Sequence, residues 1–194
     1  MEYKHMKKRI LAFTLAAMMC AASLTACSNK SSSQDNSTNA PVEETIQKDV
    51  ALDEIVTAVK DAYGENYGAA MPLDEQMLTD LLGINMDEVE EFFAEFPMMS
   101  AHIDTFIVLK AKEGNIDSVY EQLNLYRENQ MNDTMCYPSN ALRIQGSQIM
   151  KVGNYAIYMM LGEHADIEAA EEDAVKFAQE QGQIGVDAIN ALFA

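Results

Sequence analysis

The chain has 194 residues, and 13 Lys and Arg face 31 Asp and Glu, a formal net charge of −18 at pH 7. So acidic a surface repels phosphate backbones and anionic headgroups, which excludes nucleic acid as a partner. Three cysteines and three histidines leave few soft ligands or nucleophiles to place.

MEYKHMKKR (1–9) carries Lys4, Lys7, Lys8 and Arg9, a positive n-region, and ILAFTLAAMMCAAS (10–23) is an uncharged run of 14 residues. A membrane span needs about 20 apolar residues to cross about 30 Å, so residues 1–26 are expected to be a signal peptide. Leu24-Thr25-Ala26-Cys27 follows. These four residues resemble the lipobox of bacterial lipoproteins: an aliphatic residue, two small ones, and a cysteine that takes a diacylglycerol before the leader is cut. The resemblance implies a mature chain beginning at an acylated Cys27. It would sit on the extracytoplasmic face of the cell membrane, held by acyl chains such as palmitate. Two acyl chains anchor stably where one is marginal.

Removing residues 1–26 takes four basic residues and Glu2, leaving 9 basic against 30 acidic, a net charge of −21. Cys20 leaves with the leader and Cys27 is acylated, so Cys136 is the one thiol left and no internal disulfide can form. A lone cysteine is ordinarily a small buried hydrophobe, with a nucleophile as the alternative. Residues 27–48 hold SNKSSSQDNSTNAPVEETIQK, too poor in large apolar groups to offset the cost of ordering, and are expected to be a disordered tether with a mean reach of roughly 25 Å.

Hydrophobic periodicity begins near residue 49. In LDEIVTAVKDAYG, residues Leu52, Ile55, Val56, Val59 and Tyr63 share a helical face and Gly64 offers a stop. MPLDEQMLTDLLG repeats the pattern with Met77, Leu78, Leu81 and Leu82. Asn85 then suits the cap of a third helix, with Glu88 as its box partner and Val89, Phe92, Phe93 and Phe96 as its stripe up to Pro97. HIDTFIVLKAKEG changes to a β-branched and aromatic pattern, a strand. IDSVYEQLNLYRENQM (116–131) returns to helix. SQIMKVGNYAIYMMLG is expected to form two strands joined at Val152-Gly153-Asn154. IEAAEEDAVKFAQEQG (167–182) is expected to be helical, with Ile167, Ala170, Ala174 and Phe177 inward and continuation toward Ala194.

The expected class is α+β: a three-stranded, mostly antiparallel sheet in a split β-α-β arrangement of order 1-3-2. The nearly all-apolar third strand takes the centre. N-terminal helices would cover it, and residues 163–194 would form an acidic C-terminal helical extension to a single domain over 49–162.

Among chemistry-bearing residues, His102 and Asp104 alternate along a strand and so share a face, where Asp104 could orient the imidazole as a general base. The competing explanation is polar groups satisfied where a loop meets a sheet. A metal would need a third and fourth ligand, and the mature chain offers one other histidine, His164, so no metal or cofactor is assigned. Asp166, beside His164, suits an N-cap of the last helix. Asp87-Glu88-Val89-Glu90-Glu91 lacks EF-hand spacing. No Gly-x-Ser-x-Gly, P-loop or dinucleotide motif occurs. The polar connection 128–148 carries Asp133 and Arg143; such loops often bind, and the alternative is an ordered loop with Arg143 paired to a carboxylate.

PMMSAHIDTFIVLKAKEG (97–114), YREN with NDTMCYP (126–138) and GNYAIYMMLG (153–162) together resemble a family of small lipoproteins from Gram-positive, clostridial-type bacteria, catalogued as a domain of unknown function. The resemblance spans roughly residues 50–162 and implies location and architecture, with no catalytic residues to carry over. Function is therefore expected to be that of a membrane-anchored, extracytoplasmic, non-enzymatic binding module for a protein, peptide or small ligand. The alternative is a small hydrolase-like enzyme using His102 and Asp104. A transporter's solute-binding lipoprotein fits less well, because those usually close two domains around a ligand.

Overall fold

The computed structural model describes residues 49–98 and 102–194. The expected signal peptide, Cys27 and tether lie outside the described residues.

The first helix, α1 (Leu52–Tyr63), buries Leu52, Ile55, Val56, Val59 and Tyr63 and ends at Gly64. A two-residue strand, β1 (Met71–Pro72), precedes α2 (Glu75–Leu82). Asp74 caps α2 by accepting the Met77 N–H at 2.8 Å. Gly83, at φ +75°, closes it in the left-handed conformation that glycine adopts freely. Leu78 and Leu82 are the buried residues of α2; Met77 and Leu81, expected on the same face, are exposed.

Asn85 and Glu88 do bond locally. Asn85 Oδ1 accepts the Asp87 N–H at 3.2 Å and Asn85 Nδ2 donates to Glu88 at 3.2 Å, but they enclose one 3-10 turn rather than a helix start. The expected third helix is instead strand β2 (Val89–Phe96). Strand β3 (Thr105–Ala111) follows, then α3 (Ile116–Met131), α4 (Pro138–Gln145), β4 (Gln148–Val152), β5 (Tyr155–Met160) and α5 (Glu171–Phe193).

The sheet is five-stranded and antiparallel throughout, in the order β1-β2-β3-β5-β4, which overturns the three-stranded expectation while keeping the class α+β. The physical reason lies in β3. Its residues Phe106, Ile107, Val108 and Leu109 are all fully buried, so both faces of the strand are covered. A strand apolar on both faces belongs inside a sheet and needs a hydrogen-bonded neighbour at each edge. Strand β5 supplies one and β2 the other, pairing Phe93 with Val108 and Ala94 with Ile107.

Alternation then divides the core into two layers. Ile107, Leu109, Ala156 and Tyr158 face Leu78, Val119, Leu123 and Ile144 from α2, α3 and α4. Phe106, Val108, Ile157 and Met159 face Ile55, Val56 and Val59 of α1 and Ile189 of α5. The C-terminal helix is thus part of the packed unit. It closes on α1 through Tyr63, whose hydroxyl donates to the Gln181 carbonyl at 2.8 Å and accepts the Gly185 N–H at 3.2 Å. A Cβ at position 185 would lie 2.8 Å from Met159 Sδ, so glycine permits this close approach. Ile167, expected on the apolar face of this helix, is exposed ahead of it.

Buried phenols tie stability to alkaline pH. Burial pushes the Tyr63 hydroxyl up to about 12, and burial also raises Tyr67 (with help from Glu95) and Tyr126. In the unfolded chain these groups ionise near 10, so above that pH unfolding releases protons. Stability is then full below pH 10 and falls as pH rises toward 12. Urea midpoints at pH 8, 10 and 11 should show the decline, and Tyr63→Phe should make it shallower.

Candidate functional site

The antiparallel pairing of β3 and β5 sets Thr105 opposite Met160, so the lead-in residues 102–104 lie beside the exit residues 161–164. Gly162, at φ +95°, turns the chain away from the sheet there. Helix α4 covers the same end. It starts with Pro138 at its first position, where a missing N–H costs nothing, and is pinned by the buried Ile144. Arg143, in its last turn, reaches across the strand ends.

The guanidinium is the hub. Arg143 Nη2 donates to Asp104 Oδ1 at 2.6 Å and to the Gly162 carbonyl at 2.8 Å, while Nη1 meets His164 Nε2 at 3.0 Å. Arginine can only donate, so His164 Nε2 is the acceptor and the neutral ring carries its proton on Nδ1. Burial, and then the Arg143 cation, lower the His164 pKa below its ordinary value of 6.5. The ring is therefore neutral at pH 7. Asp104 is 4% exposed and lies against Gly68, where a Cβ would stand 2.6 Å from its Cγ. Glycine at 68 thus leaves the room that the carboxylate fills.

The expected strand-face pair of His102 and Asp104 does not form as such. Both residues precede β3, and Asp104 turns inward to Arg143 while His102 is exposed. The His102 ring instead stands edge-on to His164, with centroids 5.6 Å apart. One donor atom each from His102, Asp104 and His164 lies within 4.8 Å of the others. Arg143 has the carboxylate partner that the ordered-loop alternative required. Asp133 serves its own turn, accepting the Met135 N–H at 2.8 Å. Asp166 likewise accepts the Glu168 N–H at 2.8 Å and caps a turn, whereas α5 begins after Ala170 with no side-chain cap.

His164 is the residue that sequence spacing did not join to this site. Two buried strands paired antiparallel would have shown it, because that pairing brings the ends of 105–111 and 155–160 together. Cys136 packs against the layer covered by α2, α3 and α4, and burial, with the nearby Asp133 charge, pushes its thiol up and away from the thiolate form.

Beside the hub runs a groove of about 610 Å³ between α4, the 163–170 segment and the start of α5. Leu142, Ile167, Ala174 and Ala178 give it apolar walls, and Arg143 and His164 stand among its lining. Its volume falls in the range of small-molecule sites, roughly 300–1,000 Å³.

No curated protein and no solved structure matches the chain. A family model described as a domain of unknown function, DUF4358, matches residues 62–161, from the end of α1 through β5, and so contains Asp104 and Arg143. The chain belongs to the DUF4358 family.

Proposed function

We propose that this protein is a lipid-anchored extracytoplasmic binding module that takes a small amphiphilic ligand in the groove between α4 and α5. The observation that carries this reading is the pairing of apolar walls with hydrogen-bonding groups held in place by the Arg143 hub. Such sites fix an apolar body by burial and its orientation by a few placed polar atoms. Asp104, which the hydrolase alternative needs to orient a histidine, is paired with Arg143 instead, so binding accounts for the site better than hydrolysis does.

Ala174, on the groove wall, offers the test. Ala174→Trp fills the space and leaves the residues of the hub unchanged. A set of amphiphilic fragments screened by ligand-observed NMR should give hits on the native chain, and those hits should vanish in the variant. Hits that survive the tryptophan would place binding elsewhere and defeat the groove reading.

The anchor is supported by the charged n-region, the 14-residue apolar run and Leu24-Thr25-Ala26-Cys27. No helix among the described residues is long and apolar enough to cross a membrane. Cys27→Ser should move the chain from the membrane fraction to the soluble one and abolish labelling with a fatty-acid probe. Unchanged membrane association and labelling would refute acylation at this residue.

A further inference from the structure

We propose that His102, Asp104 and His164 form a binding site for a divalent transition-metal ion of the zinc type. The site lies at the strand ends, where His164 also lines the groove, and it stands on its own donors rather than on the groove reading.

The sequence presents a histidine and a carboxylate two residues apart and then no further histidine for sixty residues. The β3–β5 register brings in the missing third donor, so that two imidazoles and one carboxylate converge within 4.8 Å. Zinc sits about 2.0–2.2 Å from such atoms, which places the donors roughly 3.5 Å from one another. Closing the difference takes a movement of about 1 Å from the ligands. The two histidines can supply it, because His102 is exposed and the His164 side chain is 50% exposed. Asp104 need not move.

The surroundings suit the role. Asp104 already offers two different oxygens. Oδ1 is held by Arg143, while Oδ2 faces His164 Nε2 at 4.0 Å. A ligating carboxylate is commonly oriented through its second oxygen in this way. Metal binding would replace the contact from Arg143 Nη1 to His164 and leave Arg143 on Asp104 and on the Gly162 carbonyl. Two histidines and one carboxylate leave at least one coordination position open to water or to a ligand donor.

The acidic surface makes the control essential, because thirty carboxylates outside the leader bind cations weakly and without stoichiometry. Zn²⁺ is titrated into the purified full chain against a chromogenic chelator, alongside His102→Gln and His164→Gln. Both substitutions lie at solvent-facing side chains, and circular dichroism checks that the fold is kept. The expected result is one ion per chain, with affinity falling at least tenfold in each variant and further in the double. Non-stoichiometric binding, or one-to-one binding that both variants retain at full affinity, would overturn the site. Groove binding of fragments is measured separately in chelator, so the two proposals fail independently.

Discussion

Replacing Arg143 by Met lowers the unfolding free energy by about 3–5 kcal/mol, because it leaves a buried carboxylate with no cation. Asp104 is 4% exposed and Arg143 is 7% exposed, so water cannot take over the lost partner. The Gly162 carbonyl loses its donor in the same step. Asp104→Leu should cost a similar amount by stranding the guanidinium. The double variant should recover much of either loss, since a buried ion pair exchanged for packed apolar groups is often neutral or better. Urea unfolding of the two single variants and the double gives this cycle. Additive losses would show that the two side chains act separately and that the hub is not a unit.

Phe106→Ala is expected to cost about 3–5 kcal/mol as well, through a cavity rather than a charge. Phe106 is fully buried in β3, with its ring 5.5 Å from Phe93 and 6.3 Å from Tyr67. Those two residues come from β2 and from the turn after α1, so the ring joins three parts of the unit. Leu81→Ala, at a residue 60% exposed, serves as the control and should change stability by no more than about 0.5 kcal/mol. The comparison also tests β2 directly. If residues 89–96 formed a helix, Phe93 would not sit against Phe106 and the aromatic part of the loss would be absent.

That strand shows where sequence reasoning stops. Val89, Phe92, Phe93 and Phe96 fall at helical spacing, and Asn85 with Glu88 looks like a capping box, so every local cue in that stretch favours a helix. What decides the outcome is non-local. Strand β3 is apolar on both faces and has a free edge until β2 fills it. The composition of TFIVLKA held that information, but only as a demand for a neighbour and not as a statement of which segment answers it. Helices α1 and α3 and the β4–β5 hairpin were legible because their patterns are local and agree with their burial. Helix α4, eight residues opened by a proline, was too short and too polar to stand out from its loop.

The site divides in the same way. Asp104 was visible at the head of an apolar strand and Arg143 as a charged residue of a polar connection, and pairing Arg143 with a carboxylate was a natural expectation. Choosing Asp104 as that carboxylate required the strand order, as did bringing His164 to His102. Asp133, equally polar and on the same connection as Arg143, turned out to serve its own turn because its neighbouring N–H groups lay within reach. Residue type alone could not separate the two.

The most direct test is an amide chemical-shift map of the folded protein, titrated with the strongest amphiphile from the fragment screen. Shifts confined to residues 138–146 and 162–178 are expected, with Arg143 and His164 among the largest. Shifts centred on α1 and β2, or spread thinly over the surface, would contradict a binding site built on the Arg143 hub.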